Sequence, residues 1–122
     1  MNWIVPLSDV KFGSEEINAV TAVLKSGWLT MGEVTAEFEK EFAAYTGAKH
    51  ALAVSNATVA LHMACLALGI GAGDEVIVPS LTFVATANAV RYTGATPVFA
   101  DITSESDLTI SLASIERALT PR

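Results

Sequence analysis

The chain has 122 residues and a formal net charge of −6, with a sequence pI near 4.7. That acidity argues against a nucleic-acid partner, whose phosphates require a basic face, and the single cysteine, Cys65, excludes an internal disulfide. With 52% hydrophobic and 16% charged residues, the chain is apolar for a free-standing domain of this size, so some of its surfaces are expected to face further protein.

No basic segment precedes an apolar stretch at the N-terminus, so no signal peptide is visible and the chain reads as cytoplasmic. The first predicted helix opens at Gly13-Ser14-Glu15-Glu16, with Ser14 as a cap and two acids in the favourable first turn. Ile17, Val20 and Leu24 form its apolar stripe and Gly27 stops it. The loop Trp28-Leu29-Thr30-Met31-Gly32 follows. A second helix carries Val34, Phe38 and Phe42 on one face, with Glu37, Glu39, Lys40 and Glu41 on a solvated face, and ends at Gly47. Residues 1–47 thus form a helical lead-in.

The pattern changes over residues 48–122, which read as β–α units. Ala51, Leu52, Ala53 and Val54 form a short apolar run expected to be a buried strand. Ser55, Asn56 and Ala57 make a small polar turn. A helix then starts near Thr58, with Leu61, Ala64, Cys65 and Leu68 at helical spacing and Gly69 as its stop. Cys65 reads as a buried small hydrophobe. The stretch from His50 to Gly73 carries no formal charge, but it divides into strand, polar loop and helix, which argues for a β–α unit over a membrane span. Runs at 76–78 and 97–100 are the next expected strands. Helices are expected over 83–92, before Gly94, and over 112–119, where Leu112, Ile115 and Leu119 align and Ser111 can cap. Apolar strands alternating with helices predict an α/β fold with a mainly parallel, doubly covered sheet.

Two positions stand out chemically. A strand feeding a helix through Asn56, Ala57 and Thr58 points unpaired backbone N–H groups at the positive end of that helix, an arrangement suited to phosphate; it is also how an ordinary capped β–α turn looks. Phe83 lies just past the 76–78 strand, where open α/β sheets bind ligands. It suits either stacking on a flat heterocycle or a place in the core. His50 and His62 lack partners at metal-ligand spacing, so no metal site is expected, and His62 reads as structural. No Gly-x-Ser-x-Gly nucleophile turn occurs. Asp74 and Asp101 suit turns at strand ends.

The ordered set of motifs is more specific than any one of them. Ser26-Gly27-Trp28-Leu29-Thr30, Phe38-Glu39, Val54-Ser55-Asn56-Ala57-Thr58, Gly71-Ala72-Gly73-Asp74-Glu75-Val76-Ile77-Val78-Pro79-Ser80, Thr82-Phe83-Val84-Ala85-Thr86 and Gly94-Ala95-Thr96-Pro97-Val98-Phe99-Ala100-Asp101 occur in this order. Together they resemble the pyridoxal-phosphate (PLP) sugar aminotransferases of the DegT/DnrJ/StrS group, from Pro6 to Arg122. The resemblance implies the early part of the large domain of a fold-type I PLP aminotransferase, and so an N-terminal fragment of a longer enzyme. It places Ala57 and Thr58 at the cofactor phosphate and Phe83 on the cofactor ring. It sets the Trp28–Thr30 loop near an active site that neighbouring subunits of a homodimer help to build. There the family often has Thr where this chain has Met31, and Trp28 suits equally an anchor that packs the loop down.

Transamination on PLP needs a lysine that bonds the cofactor and a carboxylate that keeps its ring nitrogen charged. Lys11, Lys25, Lys40 and Lys49 match no such position, and the resemblance places both groups beyond Arg122, so no catalytic residue is expected here and the 122 residues alone are expected to be inactive. The implied reaction moves an amino group from an amino acid such as glutamate to a nucleotide-linked keto-sugar, with no nucleic acid or membrane involved. A same-fold sugar dehydratase, with His in place of the lysine, and a non-catalytic interaction module are the alternatives. A dinucleotide-binding domain is weaker, because Gly-x-Gly-x-x-Gly is missing after the first strand.

Overall fold

A computed structural model describes residues 9–121. Pro6, where the resemblance begins, the N-terminal stretch read for a targeting signal, and Arg122 lie outside the described residues. The chain divides into two compact units, Met1–Ala53 and Val54–Arg122.

The first unit holds two helices, α1 (Ser14–Ser26) and α2 (Glu33–Thr46). The start of α1 differs from the expectation: Gly13, not Ser14, is the N-cap. The Glu16 carboxylate reaches back to accept the Gly13 N–H at 2.7 Å, which places a negative charge at the positive helix end. Both helices stop where expected. Gly27 and Gly47 take left-handed conformations, φ 73° and 71°, which a residue with a Cβ enters only at a cost. On α2, Lys40 pairs with Glu37 at 3.2 Å on an exposed face, and Phe38 and Phe42 lie 5.8 Å apart, centroid to centroid. Ala43 is the buried residue of α2, whereas Ile17, Val20 and Leu24 of α1 are exposed.

The second unit runs α3 (Ala57–Ala67), β1 (Glu75–Pro79), α4 (Ala85–Tyr92), β2 (Thr96–Ala100), α5 (Leu112–Ala118). β1 and β2 pair in parallel with Glu75 opposite Thr96 and Pro79 opposite Ala100. α4 packs on α3 and on both strands, and α5 packs on β2. Val78, Val90 and Ala95 form the core, with Cys65, Ile70 and Val76 packed against it. Cys65 is thus half-buried at the core margin, not fully buried. After β2, Ile102 and Ile110 form an isolated antiparallel bridge that closes a polar loop. Ser111 caps α5, its hydroxyl accepting the Ser114 N–H at 3.3 Å.

Residues 51–54 are a correction: they form no strand. A strand exists only where a neighbour completes its ladder. Among the described residues the sheet contains β1 and β2 only. The Ala53 N–H instead donates to the Glu39 carboxylate at 2.7 Å. The fourth helix also starts at Ala85 rather than at residue 83, which leaves Phe83 in the connecting loop.

Candidate functional site

Asn56 sits at the N-cap of α3 in extended conformation, and its side-chain oxygen accepts the Val59 N–H at 3.0 Å. The Ala60 N–H reaches the Asn56 carbonyl at 3.2 Å. The N–H groups of Ala57 and Thr58 therefore remain open, with no hydrogen-bond partner among the described residues. They lie in the first turn, where helix N–H groups lack intrahelical acceptors and the macrodipole favours an anion. Asn56 has consumed one of the free donors and left two. Neither Ser55 nor Asn56 has a bulky side chain to obstruct the approach.

Phe83 lies in the loop after the C-terminal end of β1. Its side chain is 76% exposed, so it is not a core aromatic of this unit. Ser80 still belongs to the sheet edge. Its N–H donates to the Ala100 carbonyl at 2.8 Å, and its hydroxyl donates to Asp101 Oδ1 at 3.1 Å. The same oxygen accepts the Ile102 N–H at 2.8 Å, so Asp101 serves the strand-end turn anticipated for it. Asp74 does likewise, accepting the Gly71 N–H at 2.8 Å. Thr58 and Phe83 thus flank the starts of two helices, α3 and α4, that pack together in the second unit.

In the first unit, Trp28 packs down onto its own loop. Its indole Nε1–H donates to the Met31 carbonyl at 3.0 Å. A Cβ on Gly32 would lie 2.5 Å from that nitrogen, so only glycine admits the indole there. Because Met31 contributes its backbone carbonyl, the contact is independent of its side chain. A cleft of about 610 Å³ opens beside the loop, lined by Val23, Trp28, Leu29, Thr30, Val34 and Thr35, among others. Sequence reasoning singled out Trp28 and Thr30 and missed Gly32, whose signal was a tryptophan four residues before a glycine at a helix start. His62 meets Tyr92 edge-on at 5.4 Å, which accords with a structural part. No group of metal-ligating side chains occurs among the described residues.

The family model for the DegT/DnrJ/EryC1/StrS aminotransferases matches residues 10–122. The chain belongs to this family. It is 54% identical over 121 residues to the spore coat polysaccharide biosynthesis protein SpsC of Bacillus subtilis (strain 168), covering 99% of this chain and 31% of SpsC. Among solved structures it resembles the PLP form of Spr1654 from Streptococcus pneumoniae, with 35% identity and a TM-score of 0.89 over 97% of this chain and 30% of that one. It also resembles a GDP-4-keto-6-deoxymannose-3-dehydratase holding a trapped PLP-glutamate geminal diamine, with 31% identity and a TM-score of 0.85 over 95% of this chain and 31% of that one. The chain thus spans about a third of the length of these relatives. The fold is that of the fold-type I PLP aminotransferases, with this chain matching part of it. The open N–H groups of the α3 first turn and an exposed aromatic past β1 fit the phosphate and the flat ring of that cofactor.

Proposed function

We propose that this chain is the early part of the large domain of a PLP-dependent aminotransferase, with residues 1–47 as a helical lead-in and 48–122 as β–α units. The enzyme transfers an amino group from an amino acid such as glutamate to a nucleotide-linked keto-sugar, in the cytoplasm, as a homodimer. The observation that carries this reading is the α3 N-terminus, where Ala57 and Thr58 keep two N–H groups open in a family whose relatives are solved with PLP. PLP supplies the electron sink that lets an amino group move between carbon skeletons. Ala57 and Thr58 bind its phosphate through their N–H groups, and the Thr58 hydroxyl adds a hydrogen bond. Phe83 covers one face of the ring. Trp28 shapes the substrate loop and Thr30 presents a hydroxyl to the sugar. The bonding lysine and the carboxylate for the ring nitrogen lie beyond Arg122.

The test uses the complete enzyme. A charge-assisted hydrogen bond to phosphate contributes about 1.5–3 kcal/mol, so Thr58→Val lowers PLP affinity by at least tenfold with the melting temperature unchanged. Stacking adds about 0.5–1.5 kcal/mol beyond area burial, so Phe83→Leu loosens the cofactor more than Phe99→Leu does on β2. Unchanged PLP affinity in Thr58→Val refutes the phosphate assignment, and equal effects at Phe83 and Phe99 refute the stacking one.

The second reading, a dehydratase on the same fold, draws support from the structural similarity to the GDP-4-keto-6-deoxymannose-3-dehydratase. Product analysis separates them: the aminotransferase yields an amino-sugar with loss of glutamate amine, and the dehydratase yields a deoxygenated sugar.

A further inference from the structure

The loop bearing Phe83 is held more tightly than a surface connection between a strand and a helix requires. Ser80 ties its start to Ala100 and Asp101. At its other end, α4 begins without a side-chain cap at Val84. Thr82 and Thr86 do not cap the helix either. Their hydroxyls hydrogen-bond to each other at 2.9 Å across the start of α4, while the Thr86 N–H donates to the Phe83 carbonyl at 3.0 Å. Phe83 is therefore bracketed by a side-chain bond spanning it and a backbone bond to its own carbonyl.

That arrangement is hard to explain by stability. An exposed hydroxyl pair trades bonds to water for a bond to each other and contributes little net. Phe83 is 76% exposed and buries no core surface that the bond would protect. What the bond does restrict is the backbone freedom of the three residues between the threonines, and so the direction of the Phe83 side chain. A ring held in its binding orientation loses less freedom when a flat ligand docks.

Building on the reading of Phe83 as the ring-stacking residue, we propose that Thr82 and Thr86 are positioning residues. They form a hydroxyl clasp that fixes the Phe83 ring for the cofactor. Neither touches the cofactor; both act through Phe83.

The experiment measures PLP dissociation from the complete holoenzyme by visible absorbance. The variants are Thr82→Val, Thr86→Val, Thr82→Ser and Thr86→Ser, each alone and combined with Phe83→Leu. The valine variants keep shape and remove the hydroxyl. They are expected to weaken PLP retention roughly two- to tenfold, no more than the stacking of the Phe83 ring itself contributes, with the melting temperature unchanged. The serine variants keep a hydroxyl and restore retention. With Leu at position 83, removing either hydroxyl has no further effect. Unaltered retention in the valine variants, alongside a loosened Phe83→Leu, overturns the clasp and leaves the stacking residue standing. A valine effect that persists in the Phe83→Leu background overturns it too, because the hydroxyls then act without the ring. No effect of Phe83→Leu itself refutes the stacking assignment, and the clasp falls with it.

Discussion

Gly32 shows how one missing carbon shapes the loop before α2. The Trp28 indole occupies the space where a Cβ would stand, 2.5 Å from Nε1. Gly32→Ala is expected to push the indole off the loop and break its bond to the Met31 carbonyl, at a cost of about 1 kcal/mol for the bond. In a Trp3→Phe background, which leaves Trp28 as the single tryptophan, the emission maximum then shifts to the red; an unshifted spectrum contradicts the packing. Asp107 offers a second residue-scale test. The Thr109 hydroxyl donates to its carboxylate at 2.6 Å and the Thr109 N–H at 3.1 Å, which holds the carboxyl below its ordinary value of 3.8. Because the folded value is the lower one, the turn's preference for the ionised form is fully present above pH 3.8 and fades as pH falls through the depressed value. A carboxyl-carbon titration by NMR is expected to show a midpoint below 3.8 for Asp107 and a rise part of the way back in Thr109→Val, which removes the hydroxyl donor and keeps the backbone one. At this scale the sequence was informative where chemistry is local. Asn56, Ala57 and Thr58 were recognisable as a turn with spare donors, because helix polarity makes that so in any fold. The Thr82–Thr86 bond was not recognisable, because it depends on where α4 begins, two residues later than periodicity suggested.

At the scale of elements, α3 depends on its first turn. Asn56→Ala removes the acceptor for the Val59 N–H and is expected to cost about 1 kcal/mol, read as a lower denaturant midpoint of the folded chain; an unmoved midpoint dismisses the cap. The helix ends at Gly27 and Gly47 were legible from sequence because a left-handed stop is a property of glycine itself. β1 and β2 were legible because their runs are apolar, short and bounded by turns. The 51–54 segment carries the same signal yet forms no strand, since pairing is supplied by neighbours and not by the segment. The Ala53 N–H taken by Glu39 was invisible for the same reason: the two residues lie 14 apart, and no local pattern joins them.

For the molecule as a whole, composition was a guide to its surface. Ile17, Val20 and Leu24 on α1 and Val34, Phe38 and Phe42 on α2 are exposed, as an apolar chain with few charges suggested. Exposed apolar surface on helices drives association. Residues 1–122 produced alone are expected to form oligomers or aggregates in light scattering, and to show no amino transfer to a keto-sugar when PLP and glutamate are added. A monodisperse monomer contradicts the first expectation, and turnover contradicts the second. No helix among the described residues is long and apolar enough to cross a membrane.

The parallel pairing of β1 with β2 also sets an order of events during synthesis. Parallel strands cannot meet through a tight turn and need a crossover between them. Helices α1, α2 and α3 close their bonds within a few residues, so each can form soon after it leaves the ribosome. Glu75 must wait for Thr96, and Pro79 for Ala100. Contacts of that separation form late compared with local ones. Ser80 must likewise wait, since its partners are Ala100 and Asp101. The Phe83 loop thus stays loose while the chain is being made, and it tightens in the same step that closes the sheet.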